Sequence, residues 1–146
     1  MTTHDSELKA FLESRAEAQQ SKDIDRLMRH YDSGIVYYDA VPPLQFSGTE
    51  QVRRNFQRWF DGYEGPISLQ NHDLTLATSG ELAFANMLHL DTGTRTNGLQ
   101  SSIWVRETVC LRLSDVGWLI THEHVSIPIN PENLQAWLPS EKDQAA

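Results

Sequence analysis

The sequence predicts a single α+β domain: three helices near the N-terminus, followed by an antiparallel sheet. Three observations carry this. Apolar residues in the first 60 positions recur at the helical period, and those after residue 66 fall into four β-rich runs. The links between these runs are short, which suits antiparallel neighbours, because parallel ones need long crossovers. No low-complexity linker, repeat or shift in composition divides the 146 residues, which suffice for one sizeable core.

The elements follow in order. Ser6 or Asp5 can cap a first helix, on which Leu8, Phe11, Leu12, Arg15 and Gln19 share a stripe. Arg15 thus lies among apolar residues rather than on the solvated face. A short second helix follows Asp23, with Ile24, Leu27, Met28 and Tyr31 at i, i+3, i+4 and i+7, and Ser33-Gly34 supplies a stop. Residues 35–39 read as a strand that ends in Asp39 before a Pro-Pro turn. Ser47 and Glu50 have capping-box spacing, ahead of a third helix with a stripe of Val52, Phe56, Trp59 and Phe60. Strands are expected over 67–76, 82–90, 99–113 and 118–127. The ends, 1–5 and 139–146, are expected to be loose.

Composition excludes several classes. A formal charge of -8 argues against nucleic-acid or anionic-membrane binding, which need clustered Lys and Arg. No apolar run approaches the roughly 20 residues of a membrane span. The polar, acidic start lacks the pattern of a secretory signal, and Cys110 is the only cysteine, so a cytoplasmic setting is expected. There is no Gly-rich phosphate loop and no nucleophile elbow, and a thiol in mid-strand is inert. The sequence implies no cofactor.

Three stretches carry a family resemblance: YYD at 37–39, SGTEQVRRNF at 47–56 and WLITHEHVSIP at 118–128. With them the chain, from about Leu8 to Pro128, resembles the nuclear transport factor 2-like (NTF2-like) superfamily, in particular its SnoaL-like and ketosteroid isomerase-like members. It is also similar to the association domain of calmodulin-dependent kinases. The resemblance implies a cystatin-like cone, in which a curved antiparallel sheet wraps three helices around a small-molecule pocket, and a homodimer formed by the outer sheet face. The scaffold hosts isomerases, cyclases, dehydratases and non-catalytic modules, so it does not specify a reaction.

The resemblance places Asp39 at the general-base position of the isomerase. Two readings of it stand: a base in an apolar mouth, or an acid that holds the 40–43 turn. Arg15 falls where the isomerase has an oxyanion-binding tyrosine, and Val109 where it has a protonated acid. Arg15 then either stabilises an oxyanion or pairs with Asp39 or a sheet glutamate. Tyr31 and Phe56 match supporting tyrosines, and Trp59 reads as core or cavity mouth. Aligned inward, Glu107 and Glu123 join Asp39, Arg15 and Asn86 in an acidic pocket. His122 and His124 then face outward with Trp118 and Ile120, as part of the dimer surface. A zinc site of His122, His124 and His89 is the less favoured alternative. Function narrows to small-molecule binding, with proton transfer by Asp39 or with ligand sensing or association and no turnover.

Overall fold

The computed structural model describes residues 3–145. Its elements run α1 (Thr3–Gln20), α2 (Ile24–Met28), β1 (Tyr31–Tyr38), β2 (Phe46–Ser47), α3 (Gly48–Asp61), β3 (Tyr63–Ser79), β4 (Leu82–Arg95), β5 (Gln100–Ser114), β6 (Gly117–Ser126), β7 (Ile129–Asn130) and β8 (Gln135–Ala136). Six strands form one sheet in the order β2-β1-β6-β5-β4-β3, and β7 and β8 form a separate hairpin. The fold is α+β, as the patterning indicates, with the helices on one face of the sheet.

Local chemistry explains most of these elements. On α1 the periodic stripe is buried, with Leu8, Leu12, Arg15 and Gln19 each under a tenth exposed. The helix starts before the expected Ser6 or Asp5 cap. Asp5 lies in its first turn, where a carboxylate suits the helix dipole. Asp23 caps α2 by accepting from the Arg26 amide. α2 stops at Met28 rather than at Ser33-Gly34, and Tyr31 opens β1. The Ser47-Glu50 box does not form: Ser47 makes no side-chain cap, and its amide donates instead to Gln51 Oε1 at 2.9 Å. Of the ends expected to be loose, residues 3–5 are helical and Lys142 donates to Asp73, while residues 1–2 and 146 lie outside the described residues.

Two features of the sheet depart from expectation. β1 pairs with β6 in parallel, with Tyr37 beside Glu123, so the sheet is mixed rather than purely antiparallel. A β-bulge at Thr121 also interrupts β6: Cys110 pairs with His122, but Leu111 pairs with Ile120. The extra residue changes the alternation. Trp118 and Ile120 therefore point inward with Glu123 and Val125, and all four are buried. The outward row of Trp118, Ile120, His122 and His124 does not exist. Only the two histidines remain outside, stacked edge-on with Tyr38.

Candidate functional site

β3 to β6 bring inward-facing residues into cross-strand rows. Val109 pairs with Glu123 and Ala85, and Glu107 with Val125 and Met87. The next rows set Val105 beside His89 and Asn71, and Ile103 beside Asp91 and Leu69. Because alternate residues share a face, the two rows beyond Glu107 present a histidine and an acid to the same space. That space is a cavity of about 670 Å³, bounded on the helix side by Arg15, Gln19, Phe56 and Trp59. Its mouth lies among Ala40, Arg58, Asn97, Leu99 and Leu138.

Arg15 is the centre of a buried cluster. Its Nη1 donates to Glu107 Oε1 at 3.0 Å and to Glu123 Oε1 at 2.9 Å, and its Nη2 to Glu107 Oε2 at 3.1 Å. The Tyr31 hydroxyl donates to the same Glu123 oxygen at 2.7 Å. Two carboxyls this close do not both ionise readily in a dry site. Burial and the Glu107 charge push Glu123 up to about 8. Burial also opposes ionisation of Glu107, but Arg15 and His89 outweigh it and hold Glu107 below its ordinary value. At neutral pH the pair thus carries one proton, and it sits on Glu123. Burial keeps the Tyr37 hydroxyl protonated as well.

Asp39 lies just beyond β1. Its Oδ1 accepts from the Ala40 amide at 2.6 Å and its Oδ2 from Asn55 Nδ2 at 2.7 Å. Asn55 is buried on α3, and its Oδ1 accepts from Arg58 Nε and Nη2 at 3.2 and 3.0 Å. Arg58 itself stands 3.9 Å from Asp39. The expected closeness of Arg15 and Asp39 is therefore corrected. Both line the cavity, but Arg15 is engaged by the sheet glutamates and Asp39 by Asn55 and its own turn.

The other expected residues divide. Phe56, Trp59, Glu107 and Glu123 line the cavity. Tyr31 and Val109 are buried behind it, with Tyr31 packed on Phe56 at 5.5 Å. Asn86 is misplaced: it is exposed on the outer sheet face, beside Asp73, Thr108 and His124. On β4 the odd-numbered residues point inward, so His89 and Asp91 enter the site while Asn86 leaves it. This also separates His89 from His122, whose Nδ1 lies 2.7 Å from the Val36 carbonyl. Among the described residues no group of three or more metal-ligating side chains converges.

Asp91 is a candidate residue that the sequence reading does not contain, and His89 enters that reading only as a possible zinc ligand. His89 Nδ1 is 2.5 Å from Asp91 Oδ1, and its Nε2 is 3.7 Å from Glu107 Oε2. The available signal was the apolar alternation Ala83, Ala85, Met87, which marks the buried face of β4 and continues to 89 and 91.

The comparisons with known proteins agree with the fold. An NTF2-like protein of Pseudomonas putida is 27% identical, with 97% of this chain and 99% of that chain covered at a TM-score of 0.86. A ketosteroid isomerase-like protein of Erwinia carotovora atroseptica is 19% identical over 81% of this chain and 91% of that one, with a TM-score of 0.69. The association domain of C. elegans CaMKII is 15% identical over 84% and 95%, with a TM-score of 0.66. The last two likenesses speak for the fold alone. No curated protein matches the chain. Among the described residues, no helix is long and apolar enough to cross a membrane. The family model described as a SnoaL-like domain matches residues 8–130, and the chain belongs to that family.

Proposed function

We propose that the protein binds an uncharged small molecule in the cavity and transfers a proton at a carbon next to its carbonyl group, without a cofactor. The observation that carries this reading is the setting of Asp39. It lies on the wall of a cavity that aromatic and aliphatic side chains line in part and that also holds two protonated oxygen acids, Tyr37 and Glu123. Asp39 is the base. Its two hydrogen bonds fix the carboxylate and leave each oxygen a further lone pair. Tyr37 is the O–H donor for the carbonyl oxygen as it gains charge, while the Glu123 proton is shared with Glu107. Arg15 acts through the glutamates it binds, holding Glu107 ionised and Glu123 in place, rather than by touching the substrate. The cavity size suits a ligand of one to three rings.

The partner proposed besides the ligand is a second copy of the chain. The outer sheet face exposes Leu82 and Phe84, at 61% and 47%, and helices cover only the other face. The likeness to an association domain supports self-assembly in general terms.

The test uses benzylacetone in heavy water. Proton NMR should show the protein accelerating exchange of the hydrogens next to the carbonyl, and Asp39→Asn should abolish that acceleration. An Asp39→Asn variant that exchanges at the wild-type rate removes Asp39 as the base. Binding of the ketone with no exchange by either protein favours ligand sensing.

A further inference from the structure

The paired side chains of His89 and Asp91 have no part in the reaction as proposed so far. Each is only about a tenth exposed, at 11% and 10%, and both line the cavity that Asp39 lines. A buried histidine–aspartate pair two residues apart on one strand is costly unless its charge is used or matched. Here the geometry gives it a direction. The Nδ1 hydrogen is taken up by Asp91 at 2.5 Å, which fixes the ring and leaves Nε2 facing inward. At 3.7 Å from Glu107 Oε2, Nε2 is beyond hydrogen-bond length from the one carboxylate near it. Glu107 is in turn held by both Nη atoms of Arg15. When the ring is doubly protonated, its Nε2 hydrogen is therefore available to a ligand atom.

We propose that His89, oriented by Asp91, is a second catalytic residue: a proton donor to a substrate hydroxyl, which makes the pocket one that eliminates water from an uncharged β-hydroxy carbonyl compound. The inference rests on the reading of Asp39 as the carbon-proton acceptor. The step balances as follows. Asp39 takes the proton from the carbon next to the carbonyl, and that C–H electron pair becomes the new C=C bond. The C–O bond to the hydroxyl breaks with its pair on oxygen, and the Nε2 proton of His89 joins it to leave as water. Solvent then takes the proton from Asp39 and returns one to His89, so no oxidant, reductant or metal enters.

The electrostatics agree with a donor rather than a base. Burial works against a charge on His89, but the hydrogen bond to Asp91 and the Glu107 carboxylate outweigh it, and its pKa is raised. Arg15 on α1 opposes this weakly across the cluster. Asp91 is itself raised by burial and feels the charge of Asp39, which fits the two stations sharing one cavity. With Glu123 protonated and the His89 ring doubly protonated, the charges of Arg15, Glu107, His89 and Asp91 cancel, so the floor of the cavity then favours no ionic group. The chemical class that fits is an uncharged aryl or alicyclic aldol.

The aldol of benzaldehyde and acetone is the probe, with formation of benzalacetone followed by absorbance. The wild-type chain should accelerate its dehydration, and His89→Gln should lower the rate by about a hundredfold or more. Deuterium exchange into benzylacetone, a ketone with no hydroxyl to lose, is followed in the wild-type chain as the separate measure of the Asp39 reading. Separately, nitrogen-15 NMR of the wild-type protein should show the His89 ring doubly protonated at neutral pH, and Asp91→Asn should return it to the neutral form. If His89→Gln does not fold, this titration decides the matter. No dehydration by the wild-type protein, dehydration by His89→Gln at the wild-type rate, or a neutral His89 ring at neutral pH each overturns the inference. Retained exchange alongside any of these leaves the Asp39 reading standing, whereas loss of exchange in the wild-type chain removes both.

Discussion

The hydroxyl of Tyr31 donates to Glu123 Oε1 at 2.7 Å, on the same oxygen that Arg15 occupies at 2.9 Å. Strand β1 thus reaches β6 through a side-chain bond as well as through the parallel ladder. One oxygen of Glu123 is saturated by donors, and its carboxyl also hydrogen-bonds to Glu107.

That arrangement makes stability depend on pH. Glu123 is raised from an ordinary 4.5 to about 8 in the folded chain. A carboxyl raised on folding gives its full stabilisation below the unfolded value and loses it as pH rises through the folded value. Chemical denaturation should therefore show stability falling between about 4.5 and about 8. Glu123→Gln should flatten this slope and exceed the wild type in stability above it. A wild-type profile that rises across the window would place the proton elsewhere.

Removing Arg15 should be costly, because it leaves Glu107 buried without its counter-charge. Arg15→Met is expected to lose about 3 to 5 kcal/mol, the usual cost of breaking a buried pair from one side. Adding Glu107→Gln and Glu123→Gln should restore much of the loss. Urea midpoints of the single and triple variants measure both.

Asn55→Leu should release Asp39 with little change in the core, since the two side chains have the same branched outline. Asp39 keeps only the Ala40 amide and the distant Arg58. The exchange rate into benzylacetone should fall about tenfold, with ketone affinity little changed. A rate equal to that of the wild type would mean that Asn55 does not position the base.

The self-association surface is tested on the outer face of β4. Phe84→Asp should yield monomers in sedimentation at micromolar concentration, while wild type sediments as a dimer. Ile120 is fully buried, so Ile120→Asp should instead unfold the chain. A monomeric wild type would end the proposal.

Treatment with a chelator should leave the melting temperature and the exchange rate unchanged. His89 faces the cavity, whereas His122 bonds to the Val36 carbonyl on the opposite side. A fall in either quantity that zinc restores would contradict the expectation.

The parts legible in the sequence were those where periodicity alone decides placement. The α1 stripe that contains Arg15 follows from the helical repeat, whereas the inward placement of Glu107, Val109 and Glu123 came from the family resemblance, because strand alternation alone allows either face. The start of β6 was not legible, because the bulge at Thr121 is a backbone event that no residue type marks. The β1–β6 pairing was hidden for a related reason, since it joins residues some 85 positions apart, as between Tyr37 and Glu123. On β4, choosing Asn86 as an inward residue fixed the wrong parity and so left His89 and Asp91 out of the pocket. Arg15 and Asp39 were each placed in the cavity, but their partners depend on side-chain distances that spacing does not contain.

The bulge at Thr121 has a consequence for any attempt to re-engineer the chain. It acts like a reading frame within β6: the residues before it are in phase with the helix-packing core, and those after it with the cavity. The two halves can therefore be altered separately, Trp118 and Ile120 for stability and Glu123 and Val125 for ligand fit. Deleting Thr121 between them would straighten the strand yet leave both halves in frame, with Ile120 and Glu123 still inward and His122 between them outward.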